Sequence, residues 1–135
     1  EMHQVLGDDN MFLFGLRSDE VAHLQHSYDP HLLYDRDPML RRVVDQLKIG
    51  FSDGVSYEDL WQRLVFGADC PPDQYMLLAD LPSYAEAEQR MIHAYADQEN
   101  WNRMSLINIA RSGIFSADRS IADYADTIWH VPYKK

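Results

Sequence analysis

The sequence is poor in the features that support disulfides, membrane insertion or secretion. Its 135 residues include one cysteine, Cys70, so it can form no internal disulfide and no paired-thiol zinc or redox motif. No run of about eighteen apolar residues is present, which argues against a membrane-spanning helix. The opening EMHQVLGDDN lacks the basic and apolar regions of a secretory signal, so we expect a reducing, cytoplasmic setting. Because the sequence does not begin with methionine, we expect an excised or processed segment.

Positive charge is also scarce. The chain has 12 basic and 22 acidic residues, which gives a net charge of −10. This balance repels nucleic acid and anionic lipid, and the basic residues form no stripe, so neither nucleic acid nor membrane is expected as a partner. Hydrophobic residues make up 46% of the sequence, which is enough for a real core in one domain or a piece of one.

The motifs of catalysis are missing as well. The sequence contains no glycine-rich phosphate loop and no G-x-S-x-G nucleophile turn. Of its three lysines, Lys48 closes a predicted helix while Lys134 and Lys135 end the chain, so none has the setting of a buried Schiff-base lysine. We therefore predict no catalytic, cofactor-binding or metal-binding residue in this chain.

One short pattern has the spacing of a metal site. Glu20-x-x-His23 is the pair used by di-iron helix bundles, and His26 lies about one turn further on. Such a site needs a second copy of the pair, or other converging acids, on a facing helix, and the sequence has no second copy. The favoured interpretation is a solvated polar helix face, with no metal bound.

The pattern of apolar residues predicts one short strand and six or seven helices. MFLFG is a continuous apolar run closed by glycine, which indicates a strand at Met11–Phe14 that is covered on both faces, as in a parallel sheet. One strand cannot form a sheet, so its partners are expected outside this chain. The helices are predicted to start near Ser18, Pro30, Pro38, Ser56, Pro82, Asp97 and Ser116.

The last two predicted helices are unusually apolar. The helix after Asp97 carries apolar residues in nearly every direction around its axis, which is typical of a helix buried on all sides. The final helix has a stripe of apolar residues at i, i+3, i+4, i+7 and i+8, formed by Ile121, Tyr124, Ala125, Ile128 and Trp129. A chain of this size could not cover both helices and bury its other helices as well.

Four segments of the chain together carry a family resemblance: DDNMFLFGL, YDRDPMLRRVVDQLKIGFSDG, LLADLPSYAEAEQRM and ENWNRMSLINIARSGIFSADRSIADYADTIW. They resemble the C-terminal end of the alpha-glucan phosphorylases, the family of glycogen, starch and maltodextrin phosphorylases. The resemblance runs in unbroken order from Gly7 to Trp129, and the long last segment makes it specific. The departures lie in loops, chiefly ADCPPDQY and the turn around Gly54.

The resemblance implies a fold, an activity and a set of partners. Residues 1–135 would be a single fragment, mainly α, from the C-terminal part of the Rossmann-like α/β second domain of a GT-B enzyme. The parent enzyme would use phosphate to release glucose 1-phosphate from the end of a glucan, with pyridoxal phosphate bound to a lysine upstream of Glu1. No residue of this chain inherits a catalytic or cofactor role, so no cofactor is expected in the fragment. Its partners would be the N-terminal domain, reached by the final helix, and the rest of the C-terminal domain.

A second hypothesis remains open. Composition and periodicity also permit a free-standing acidic helical module whose apolar stripe docks a partner helix. The single strand without a partner and the helix that is apolar all round argue against this alternative. By itself, the chain is expected to form a homodimer through the stripe, because so contiguous an apolar patch is unusual on a monomer.

Overall fold

The computed structural model describes residues 2–132, and this part of the chain is mainly helical. None of its helices combines the length and apolar character that crossing a membrane requires. The α-helices, in chain order, are α1 (Met2–Leu6), α2 (Ser18–Leu24), α3 (Pro30–Arg36), α4 (Pro38–Ile49), α5 (Glu58–Val65), α6 (Leu77–Ala96), α7 (Gln98–Arg111) and α8 (Ala117–Tyr124). Short 3-10 turns at Asp8–Asn10 and Ser112–Phe115 and a π-helical turn at Ala125–Trp129 complete the secondary structure of residues 2–132.

The chain forms two compact units. One unit is Phe14–Glu88, and the other combines Glu1–Leu13 with Gln89–Lys135. We call them the inner unit and the terminal unit. Helix α6 contributes its first part to the inner unit and its last part to the terminal unit.

The predicted strand at Met11–Phe14 is wrong, because residues 2–132 contain no β-strand. The residues after Asn10 are irregular, and Met11 itself has an extended backbone with φ −154° and ψ 162°. A strand is defined by its ladder of hydrogen bonds to a neighbour, and the described residues supply no neighbouring strand. The apolar run therefore does not form a paired strand within the described residues.

Most of the predicted helix starts are confirmed by their caps. The Asp29 carboxylate accepts a hydrogen bond from the Leu32 N–H, and the Asp37 carboxylate accepts bonds from Met39 and Leu40, with a proline at the first helical position of each helix. The caps of α7 and α8 follow the same rule, with Asp97 bonded to the Asn100 N–H and Ser116 to the Arg119 N–H.

Helix α6 differs from the prediction. It begins at Leu77 rather than Pro82, so Pro82 lies inside it. The Asp73 carboxylate explains the early start, since it accepts hydrogen bonds from the first two backbone N–H groups of the helix, those of Leu77 and Leu78, at 2.8 Å each. At α5 the difference is small, because the helix begins at Glu58, two residues after the predicted Ser56.

The core of the inner unit lies between α3, α4, α5 and the start of α6. Its buried residues are Tyr34, Leu40, Val44, Trp61, Val65 and Leu78. Leu40 and Val44 on α4 are four residues apart, as are Trp61 and Val65 on α5, which places each pair on one face of its helix. Val65 is fully buried, so this face of α5 is the centre of the unit.

The terminal unit has few buried residues. Leu6, Met104 and Ala125 are buried, one each from α1, α7 and the π-helical turn. On α7 the expectation of burial on all sides is not met, since Leu106 and Ile109 are 66% and 70% exposed. Within residues 2–132, too few elements pack on α7 to cover a helix that is apolar around its whole circumference.

Candidate functional site

The residues with the spacing of a metal site are used for local structure. The Glu20 carboxylate accepts the Arg17 N–H at 2.7 Å, which caps the start of α2. His26 contacts the side chain of its neighbour Gln25 at 3.5 Å. Among residues 2–132, no group of three or more His, Cys, Asp or Glu side chains is placed to hold a metal ion. Glu20, His23 and His26 are therefore not gathered into a site with further acids.

Lys48 is engaged with an aromatic ring. Its Nζ lies 4.4 Å from the centroid of Trp61, over the ring face, which is the geometry of a cation–π contact. The other two lysines, Lys134 and Lys135, lie outside the described residues. Lys48 is thus an exposed residue on the last turn of α4 whose amine lies against the Trp61 ring.

Trp61 and Tyr34 donate hydrogen bonds to the same carboxylate oxygen. Asp45 Oδ1 accepts a hydrogen bond from the Tyr34 hydroxyl at 2.6 Å and from Trp61 Nε1 at 3.2 Å. Burial, and then the bond to Asp45, raises the pKa of Tyr34 above the ordinary tyrosine value. A tyrosine that holds its proton more tightly is a poorer general acid at neutral pH, so this cluster supports packing rather than proton transfer.

A second carboxylate network fixes the loop before α6. Asp73 is only 6% exposed, and it accepts the Tyr28 hydroxyl in addition to the two helix N–H groups. Burial is the largest cause that raises the pKa of Tyr28, followed by its hydrogen bond to Asp73 and the Asp73 charge. This pair was not predicted from the sequence, because the two residues are 45 positions apart and Asp73 lies in a proline-containing loop.

The inner unit also has a polar cleft of about 300 Å³ beside α4. Arg41 in its lining is already satisfied, since it donates to the Asp35 carboxylate and to the Tyr34 carbonyl. Its guanidinium carbon also lies 4.8 Å from the Tyr34 ring centroid. Because Arg41 and Asp35 are paired with each other, this ion pair presents no net charge to a ligand in the cleft.

The most distinctive surface is the apolar stripe at the end of the chain. Ile121, Tyr124, Ile128 and Trp129 are 43%, 47%, 61% and 55% exposed, and only Ala125 of the predicted stripe is buried. The π-helical turn brings the Trp129 ring to 6.0 Å from that of Tyr124, in an edge-on arrangement. These four exposed residues, the terminal stripe, form a surface suited to docking on another apolar face.

A groove in the terminal unit was not predicted from the sequence. It has a volume of about 540 Å³ and runs between the segment after Asn10 and α7. Its apolar lining is formed by Met11, Phe12, Met91, Trp101, Met104 and Ile109. The Phe12 and Trp101 rings are stacked, with centroids 6.2 Å apart. Residues so distant in sequence meet only in the tertiary structure, so no local pattern could reveal this groove.

Comparisons with known proteins give a consistent match over the whole chain. The family model described as carbohydrate phosphorylase matches residues 1–131. The glycogen phosphorylase of Chlamydia pneumoniae is 37% identical over 134 residues, which cover 99% of this chain and 16% of that protein. That of a Synechocystis strain is 37% identical over 135 residues, with coverages of 97% and 15%. The muscle glycogen phosphorylase of Ovis aries is 39% identical over 132 residues, again with coverages of 97% and 15%. The chain thus spans about one sixth of the length of these curated relatives.

Proposed function

We propose, from the premise that this chain belongs to the carbohydrate phosphorylase family, that it is the structural end portion of a glycogen or alpha-1,4-glucan phosphorylase. The whole enzyme would use phosphate to release glucose 1-phosphate from the end of a glucan. The observation that carries this proposal is the match at 37–39% identity over nearly the entire chain to glycogen phosphorylases. The role assigned to these 135 residues is to complete the fold around a catalytic centre that lies elsewhere in the polypeptide.

The described residues do not fit pyridoxal phosphate. A Schiff base needs a lysine whose amine is free to react with an aldehyde, and Lys48 instead lies over the Trp61 ring on a helix that begins with a proline. The cofactor of the proposed enzyme would therefore be held by another part of its polypeptide.

The terminal stripe supports a role in assembly. Four large apolar side chains, each at least 43% exposed, lie on α8 and the π-helical turn of a chain with a net charge of −10. Covering each one would contribute about 1.5–3 kcal/mol. We assign this surface to contact with the N-terminal domain of a GT-B enzyme, with the remainder of the chain completing its Rossmann-like second domain. A cytoplasmic location belongs to the same proposal and is supported by the single cysteine.

A cofactor titration tests the assignment of the catalytic centre to another part of the polypeptide. Pyridoxal phosphate is added to the isolated chain, and the absorbance of a protonated Schiff base is recorded against the free cofactor. We expect no stoichiometric adduct with the wild-type chain. A one-to-one adduct that disappears in the Lys48→Arg variant would overturn the proposal, because that variant keeps the positive charge over Trp61 and removes only the reactive amine.

The alternative function is a free-standing acidic interaction module. The exposure of Ile128 and Trp129 favours it, since a helix docking on a partner presents just such a face. The coding region separates the two hypotheses. A reading frame that continues upstream of Glu1 into a glycine-rich, lysine-bearing stretch supports the phosphorylase, and a start codon directly before Glu1 supports the module.

A further inference from the structure

The turn between α4 and α5 contains the single Asp-Gly pair of the sequence, Asp53-Gly54. Both residues are exposed, and a Cβ placed on Gly54 would meet open space. Glycine shields its own backbone nitrogen less than any other residue, because it has no side chain. The Gly54 nitrogen is therefore accessible to the carboxyl group of the residue before it.

An aspartate that precedes a glycine can rearrange without an enzyme. The Gly54 nitrogen forms a bond to Asp53 Cγ, a C–O bond of the carboxyl group breaks, and its hydroxyl leaves with the amide proton as water. Water then opens the cyclic imide at either carbonyl, which restores aspartate or gives isoaspartate. In isoaspartate the main chain runs through Cβ and Cγ, and the reaction uses no oxidant and no reagent other than water.

Both oxygens of the Asp53 carboxylate accept hydrogen bonds within the turn. Oδ2 accepts the Tyr57 hydroxyl at 2.6 Å, and Oδ1 accepts the Val55 N–H at 3.1 Å. The Tyr57 ring packs edge-on against that of Phe51, with centroids 5.5 Å apart, which holds the hydroxyl in place. Imide formation expels one of the two carboxylate oxygens, so it must break one of these two hydrogen bonds.

The same two hydrogen bonds keep the carboxylate ionised. The bond from the Tyr57 hydroxyl, and then that from the Val55 N–H, lowers the pKa of Asp53 below its ordinary value. The ionised form reacts poorly, because only the neutral acid can release its oxygen as water. The bonds therefore oppose the rearrangement in two ways, since they reduce the fraction of neutral acid and must also be broken before an oxygen leaves.

We propose that Asp53 is a latent site of isoaspartate formation and that the Tyr57 hydroxyl is the side-chain group that restrains it. This inference is independent of the proposed function, because the reaction needs only the turn itself. The turn joins α4, which carries the buried Val44, to α5, which carries the buried Trp61 and Val65. Isoaspartate at Asp53 lengthens the main chain between these two core helices, so the modification acts on the link that sets their packing.

Prolonged incubation of the whole chain at neutral pH tests this proposal, with Tyr57→Phe as the variant. The substitution keeps the ring that packs on Phe51 and removes only the hydroxyl. Tryptic peptide 49–63 is then separated by chromatography from its isoaspartate isomer, with synthetic standards of both forms. We expect isoaspartate at Asp53 to form about fivefold faster in Tyr57→Phe, the factor that corresponds to the loss of one hydrogen bond. Equal rates in the variant and the wild-type chain would overturn the proposal.

Tyr75→Phe is the matched control, since Tyr75 is 75% exposed and lies outside this turn. Its rate at Asp53 should equal that of the wild-type chain, and an increase as large as that of Tyr57→Phe would overturn the proposal. A second comparison uses the wild-type chain alone, folded and unfolded in urea, and decides the question if Tyr57→Phe does not fold. Unfolding should raise the rate at Asp53 about tenfold or more, because it removes both hydrogen bonds. The same rate in the two states would overturn the proposal.

Discussion

The Asp80 carboxylate occupies the space that a side chain on Gly15 would need. A Cβ placed on Gly15 would lie 2.9 Å from Asp80 Oδ2 and 3.1 Å from its Cγ, and Gly15 has a φ of +86°. The carboxylate cannot easily move away, because its Oδ1 accepts the Leu16 N–H at 2.8 Å. Ser83 Oγ accepts the Gly15 N–H at the same distance, so two residues of α6 bind one glycine turn.

Gly15→Ala should therefore destabilise the chain more than an ordinary glycine substitution. We expect a loss of about 2–4 kcal/mol, from left-handed backbone strain together with the contact on Asp80. Gly54→Ala is the matched control, since Gly54 has a φ of +73° and open space where its Cβ would lie. Urea denaturation measures both variants. Equal losses for Gly15→Ala and Gly54→Ala would show that Asp80 imposes no constraint.

Asp73→Ala should be among the more damaging substitutions in the inner unit. It removes the acceptor of three hydrogen bonds and leaves the Tyr28 hydroxyl and two N–H groups of α6 without their partner. We expect a loss of about 3 kcal/mol, against about 1 kcal/mol for Asp97→Ala at the exposed start of α7. Thermal unfolding followed by circular dichroism ranks the two variants. The reverse order would contradict the role assigned to Asp73.

The buried tyrosines predict a loss of stability at alkaline pH. The pKa values of Tyr28 and Tyr34 are raised in the folded chain, chiefly by burial, so the folded state keeps protons that the unfolded state releases. Above the ordinary tyrosine pKa of about 10, the unfolded state binds fewer protons than the folded state, and the free energy of unfolding falls as pH rises. Below that pH both tyrosines keep their protons in the folded and the unfolded state, so they do not make the free energy of unfolding depend on pH.

Denaturation between about pH 9 and pH 12 measures this effect, with Tyr28→Phe and Tyr34→Phe as the test variants. Each substitution removes one titrating group, so the free energy of unfolding should fall less steeply with rising pH in each variant than in the wild-type chain. A slope that is unchanged in both variants would show that other groups cause the loss of stability.

Replacing Ile128 and Trp129 with alanine should weaken self-association of the isolated chain. Both side chains are more than half exposed, so they are available for the expected contact between copies, and their truncation should leave the cores of the helices intact. Ile49→Ala is a control at a side chain that is 74% exposed in the inner unit. Sedimentation gives the association state and circular dichroism the helix content. A monomeric wild-type chain whose double variant unfolds would mean that the terminal stripe belongs to this chain's own core.

The local parts of the fold could be predicted from the sequence. The start of α4 is an example. The Asp37 carboxylate accepts the Leu40 N–H, and Pro38 has a preset φ that suits the first helical position, so neighbouring residues alone determine where the helix begins. The apolar run MFLFG could not be assigned in the same way. Its conformation depends on a partner strand, and pairing is decided by residues distant in sequence or outside the chain.

The side-chain hydrogen-bond networks could not be predicted from the sequence for a related reason. Asp73 and Tyr28 each look like ordinary loop or surface residues until the fold places them in contact. The terminal stripe was visible in the sequence because it depends on helical periodicity alone, and its exposure in the structure agrees with the expectation that this chain does not cover it. From Ala125 onward a π-helical turn replaces regular helix, and Ala125 is buried, so four of the five predicted stripe residues are exposed.

The most direct test of the central proposal is a phosphorolysis assay on two proteins. One is the 135-residue chain, and the other is a polypeptide of full phosphorylase length that contains it. Glycogen, inorganic phosphate and pyridoxal phosphate are supplied to both, and glucose 1-phosphate is measured. We predict that the long polypeptide releases glucose 1-phosphate and that the 135-residue chain releases none. Activity in the short chain, or its absence from a folded long polypeptide that has bound the cofactor, would contradict the proposal.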